Sequence, residues 1–148
     1  MRASNLYQYF WAVAIILGFL AFTEFISDEN SVFDVNVHDT YYVMAHSHLY
    51  TGLTLIYFII GLIYKVSGKI LNQKLIAIHT IITIGSFIAY YILWAITLAT
   101  SNPDDILDNS SEIFNTGITL IVLIAIAAQP LLIANILIGL VKKKTITT

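Results

Sequence analysis

Four long runs of apolar residues, separated by short polar segments, organise the chain: 6–26, 42–64, 75–99 and 113–141. Each is long enough to cross a hydrocarbon core, which takes about 20 residues of helix at roughly 1.5 Å rise per residue. The pattern predicts four transmembrane helices. The fourth run is the longest and contains Pro130, whose ring removes a backbone donor, so a tilt or kink is expected there. The first run follows Arg2 in the manner of a signal peptide, yet it lacks a small-residue cleavage pattern, and Glu24 stands where such a site would fall. It therefore reads as a span. The fold class expected is an all-α membrane protein, a single four-helix transmembrane domain over 1–148.

Composition agrees. Hydrophobic residues make up 58% of the 148 positions and charged residues 11%; the mean hydropathy of +0.82 lies far above the range of soluble domains. Charge placement then orients the spans. The seven Lys and Arg fall at the N-terminus (Arg2), between spans two and three (Lys65, Lys69, Lys74) and in the tail (Lys142, Lys143, Lys144). The nine acids fall between Glu24 and Asp39 and between Asp104 and Glu112. By the positive-inside rule both termini are expected in the cytoplasm, and the loop before span two on the periplasmic side of a bacterial inner membrane. The basic tail reads as an orientation signal that touches anionic lipid, not as a nucleic-acid patch. With no Cys in the chain, thiolate heme ligation and iron–sulfur chemistry are excluded.

Candidate chemistry concentrates in HDTYYVMAHSH, residues 38–48. An imidazole in or beside hydrocarbon is costly unless it is hydrogen-bonded, paired or bound to a metal. His46 and His48 are two apart, so on a helix they point roughly 200° away from each other. One ion chelated by both does not fit that geometry; two irons on opposite sides of the helix do. Zinc sites on helices use spacings of three or four, which no His pair here provides.

That stretch resembles the helix X signature of subunit I of the heme-copper oxidases, whose pattern reads close to HDTYYVVAHFH. The likeness extends outward: YFWAVAIILGFLAFTEF is similar to helix IX, and ILNQKLIAIHTIITIGSFIAYY to the start of helix XI, which makes span four helix XII. Nearly the whole chain then corresponds to the C-terminal third of a twelve-helix subunit. The resemblance implies that His46 ligates a high-spin heme facing copper and that His48 ligates a low-spin heme. It implies also that His38 and Asp39 help to hold magnesium together with a carboxylate of another subunit. The departures are large. The helices that carry the copper ligands, the partner histidine of the low-spin heme and the cross-linked tyrosine are missing. The family's Arg pair after helix XI is replaced by SNPDDILDN, whose acids would repel heme propionates.

A second axial ligand must therefore come from elsewhere. His79 is the other histidine in a span, but it starts span three near the cytoplasmic side, about 18 Å away in depth for roughly twelve residues at 1.5 Å each. Because the twelve-helix subunit resembles three four-helix arcs about a pseudo-threefold axis, a four-helix chain could rebuild the ring as a homotrimer. Across its heterologous interfaces His48 of one chain would face His46 of the next. A bis-histidine, low-spin, electron-transferring cytochrome follows, with quinol or a periplasmic cytochrome as donor. A twofold dimer sharing one heme is the simpler rival. Two other classes stay open: a heme-copper-type oxidase or reductase, if the oligomer also binds copper or leaves a heme five-coordinate, and a cofactor-free accessory or assembly subunit of a respiratory complex. The remaining polar residues have plain readings. Tyr41 and Tyr42 suit an aromatic belt. His79 suits a structural hydrogen bond, and Glu24 reaches water. Tyr57, Tyr64, Tyr90 and Tyr91 pack between helices, and Gln129 and Asn135 bond across them.

Overall fold

The computed structural model of the chain describes residues 5–27, 32–37, 40–68, 70–100 and 110–146. In order they form α1 (Leu6–Ile26), β1 (Val32–Val37), β2 (Thr40–Ala45), α2 (His46–Ser67), α3 (Gln73–Thr100) and α4 (Ser110–Ile146). All four helices are long and apolar enough to cross a membrane. The chain divides into two compact units, Met1–Gly68 and Lys69–Thr148, each built on one helix pair.

In the first unit α1 buries Leu6, Phe10, Val13, Ala14 and Leu17, the i, i+3, i+4 spacing that lines one face of a helix. That face meets Tyr57, Ile60, Gly61 and Tyr64 of α2. The Phe10 ring lies 5.4 Å from Tyr64 and 6.0 Å from Tyr57, and Trp11 stacks on Phe58 at 5.9 Å. Early residues of α1 thus meet late residues of α2, so the pair is antiparallel. Gly61 is what lets it close: a Cβ there would come 2.5 Å from the Trp11 ring.

The second unit repeats the arrangement with a more polar seam. α3 buries Ile76, His79, Thr80 and Thr83, and α4 buries Ala128, Leu132 and Asn135. Asn72 pairs with Asn135 and His79 with Gln129, again an antiparallel order. Elsewhere large apolar side chains point outward, among them Phe19, Phe25, Ile81, Leu98 and Val141. In water such a surface would drive association; in a bilayer it is the solvated face.

Span one coincides with α1. Span two does not begin at 42 as hydropathy predicts, because Thr40–Ala45 pairs with Val32–Val37 as an antiparallel hairpin, Val37 opposite Thr40 and Val32 opposite Ala45. Both segments are rich in β-branched and aromatic residues, which favour a pleated strand, and the helix starts only at His46. Spans three and four run longer than the apolar runs at both ends. Hydropathy marks where hydrocarbon ends, whereas a helix continues while each N–H finds a carbonyl four residues back.

Candidate heme-ligand site

His46 is the first residue of α2 and His48 the third. No loop separates them from the hairpin. Ala45, the last residue of β2, is extended with φ −63° and ψ 137° and stands directly before the helix. The pairing of Ala45 with Val32 therefore sets where the histidines enter.

The two rings have different surroundings. His46 is half-buried, and its ring stacks on that of Tyr50, one turn further along, with centroids 6.0 Å apart and planes inclined by 28°. His48 is exposed. It lines an open groove of about 300 Å³ together with Ala21, Phe22 and Phe25 of α1 and with Ser47 and Thr51. The Thr51 hydroxyl donates to the Ser47 carbonyl at 2.7 Å, so it serves its own helix, as Ser and Thr commonly do inside apolar segments. The wall is thus an imidazole set among phenyl rings. An accessible imidazole beside two phenyl rings is donor chemistry that suits a metalloporphyrin, and His48, Phe22 and Phe25 are the residues that would hold such a group.

His38 and Asp39 lie outside the described residues, so the geometry of the magnesium reading does too. Among the described residues no cluster of three or more His, Cys, Asp or Glu side chains could hold a metal ion. His79 belongs to the second unit. It is fully buried in α3, with Nε2 3.4 Å from Gln129 Oε1 and 3.4 Å from Thr83 Oγ1. The interhelical bonding read for Gln129 and Asn135 is present: Asn135 bonds the backbone of Asn72. Sequence reasoning missed Tyr50 and the groove residues Phe22 and Phe25. The four-residue spacing from His46 to Tyr50 was a usable signal; the α1 side of the groove left none, since its partner is over twenty residues away.

Comparison with known proteins adds one partial match. The similarity is to cytochrome c oxidase subunit 1. The alternative cytochrome c oxidase subunit 1 of Bradyrhizobium diazoefficiens is 36% identical over 67 residues, which covers 42% of this chain and 11% of that protein. The chain thus spans a small fraction of the length of the curated relative it matches. This supports a relationship to heme-copper oxidase subunit I, carried by under half of the sequence. No family model and no solved structure matches the chain.

Proposed function

We propose that this protein is an integral-membrane cytochrome that binds heme through His46 and His48 and moves electrons, with each iron held between two chains of a homo-oligomer. The observation that carries the reading is the placement of His48 in an open apolar groove, within a motif that resembles the helix X signature. An open groove on one helix pair covers one face of a planar ligand. The opposite face needs protein as well, and a second copy supplies it with a histidine of its own. His46 and His48 point away from each other at the head of one helix, so a ring of three chains lets every His48 meet a neighbour's His46.

Bound heme would supply a one-electron couple in this setting. The chain's own part is to present imidazole nitrogens, to hold the His46 plane against Tyr50 and to line the groove with Phe22 and Phe25. His38 and Asp39 are proposed to bind magnesium near the outer surface if a carboxylate is supplied by another subunit. The donor class is a quinol or a periplasmic cytochrome, and the location is a bacterial inner membrane with the motif on the periplasmic side.

The test is a reduced-minus-oxidised spectrum of the purified protein with heme quantified per chain, repeated on His46→Ala and His48→Ala. One heme per chain with a sharp low-spin band, lost in both variants, supports the shared site. A band that shifts with carbon monoxide moves the reading to an oxygen- or nitric-oxide-reactive oligomer. No Soret band leaves the accessory-subunit reading.

A further inference from the structure

A second groove between α1 and α2 plays no part in the heme reading. It measures about 270 Å³ and is lined by Trp11, Ala14 and Ile15 of α1 and by Thr54, Leu55 and Phe58 of α2. The polar atoms of its lining are turned away from a ligand. The Thr54 hydroxyl donates to the Tyr50 carbonyl at 2.7 Å, and the Trp11 Nε1 is buried over Gly61, where an added Cβ would meet it at 2.6 Å. Ile15, Leu55 and Phe58 are exposed, so in a bilayer the groove presents hydrocarbon to acyl chains. One end carries a charge. Trp11 stacks on Phe58 with planes inclined by 14°, and the Lys65 ammonium lies 4.7 Å from the centre of the Trp11 ring. Tyr7 meets Trp11 edge-on at 5.2 Å and Lys65 at 5.9 Å, a second amphipathic ring at the depth where a membrane meets water.

We propose that this groove and Lys65 form a binding site for an anionic phospholipid, with an acyl chain lying along the groove and the headgroup phosphate on the Lys65 ammonium. Lys65 is exposed in the last turn of α2, on the helix face that carries Thr54 and Phe58. From Thr54 to Lys65 the helix rises roughly 16 Å, taking 1.5 Å for each of about eleven residues. That is the depth of one leaflet, half of a hydrocarbon core about 30 Å thick. A lipid whose chain fills the groove therefore brings its phosphate to the level of the lysine. The ammonium keeps donors for it, since it has three and the Trp11 face draws on the charge rather than on one N–H. A net negative headgroup suits the site better than a zwitterion, which brings a cation of its own to the same place. The inference is independent of heme and of the oligomer.

Trp11 and Trp94 are the two indoles of the chain, so in a Trp94→Phe background the emission of Trp11 reports on the groove. The full chain is reconstituted in vesicles of phosphatidylcholine brominated on its acyl chains, which quench an indole they touch, and unbrominated lipid is added as competitor. Phosphatidylglycerol should restore emission at about fivefold lower mole fraction than unbrominated phosphatidylcholine, the effect of one basic residue at a membrane surface. The preference should vanish in Lys65→Met and persist in Lys65→Arg. Because each variant is compared with itself under two competitors, a change in Trp11 emission from loss of the ring contact does not enter. Glycerol phosphate, a headgroup without chains, should restore nothing. Equal competition by the two lipids in the Trp94→Phe chain overturns the proposal, as does a preference that survives in Lys65→Met or recovery by glycerol phosphate. Emission that no brominated lipid quenches overturns it too, and assigns the groove to protein.

Discussion

Asn135 holds the backbone of Asn72 from both sides: its Oδ1 accepts the Asn72 N–H at 2.8 Å and its Nδ2 donates to the Asn72 carbonyl at 3.2 Å. Asn72 in turn caps α3, its Oδ1 accepting the Lys74 N–H at 3.0 Å while its carbonyl takes the Ile76 N–H at 3.1 Å. One amide in α4 thus fixes the start of α3, and it does so at 1% exposure, where water offers no substitute.

Asn135→Leu should therefore destabilise the second helix pair by about 1–2 kcal/mol, the scale of hydrogen bonds inside membranes. Asn72→Ala, which removes the cap but leaves the backbone bonds to Asn135, should cost about 1 kcal/mol. Unfolding curves in mixed detergent micelles, followed by circular dichroism, measure both. Equal and negligible effects would show that the seam is held by packing alone.

Two glycines in helices should respond oppositely to Ala. At Gly61 an added Cβ meets Trp11 at 2.5 Å and the Phe10 Cβ at 3.3 Å, so the α1–α2 pair must shift, at a cost of about 1–3 kcal/mol. At Gly85 nothing lies within 4 Å; Gly85→Ala should be neutral, or stabilising by up to about 1 kcal/mol through helix propensity. The same unfolding assay separates them.

Lys65 places its ammonium 4.7 Å from the Trp11 ring and 5.9 Å from Tyr7. Lys65→Met should cost about 0.5–2 kcal/mol and alter the emission of Trp11, read in a Trp94→Phe background so that one indole reports. Unchanged emission and stability would mean that the lysine merely reaches toward water.

Filling the groove tests the heme reading without touching a histidine. Ala21→Trp should bring heme per chain close to zero while helix content is kept. Ile15→Trp, on a second groove of about 270 Å³ lined by Trp11, Ala14, Thr54, Leu55 and Phe58, should leave it unchanged. Heme retained in Ala21→Trp would place the ligand away from His48.

The charge pattern predicts a C-terminal fluorescent-protein fusion that matures in the cytoplasm and an alkaline phosphatase fusion after Ser27 that is active in the periplasm. The reverse result would put the histidine motif on the cytoplasmic side.

Much of the architecture was legible in the residues alone. Hydropathy located all four helices because only a helix satisfies its own backbone within one hydrocarbon-spanning segment; that is a local requirement, and local patterns report it. The placement of His46 and His48 on one helix was legible for the same reason, and α2 carries both in its first turn. The hairpin was not. Residues 42–45 are apolar enough to extend span two, and pairing with Val32–Val37, a relation of two segments, decided that α2 starts at His46. Nor did the sequence disclose that Phe22 and Phe25 would flank His48, that Gly61 would admit the Trp11 ring, or that His79 would face Gln129. By itself the sequence determined the class of fold and the number of apolar spans, because these rest on composition and on periodicities of a few residues. Only the tertiary structure decided which side chains meet, because that depends on the antiparallel registers of α1 with α2 and of α3 with α4, and a register is set by close packing across a seam rather than by any one segment.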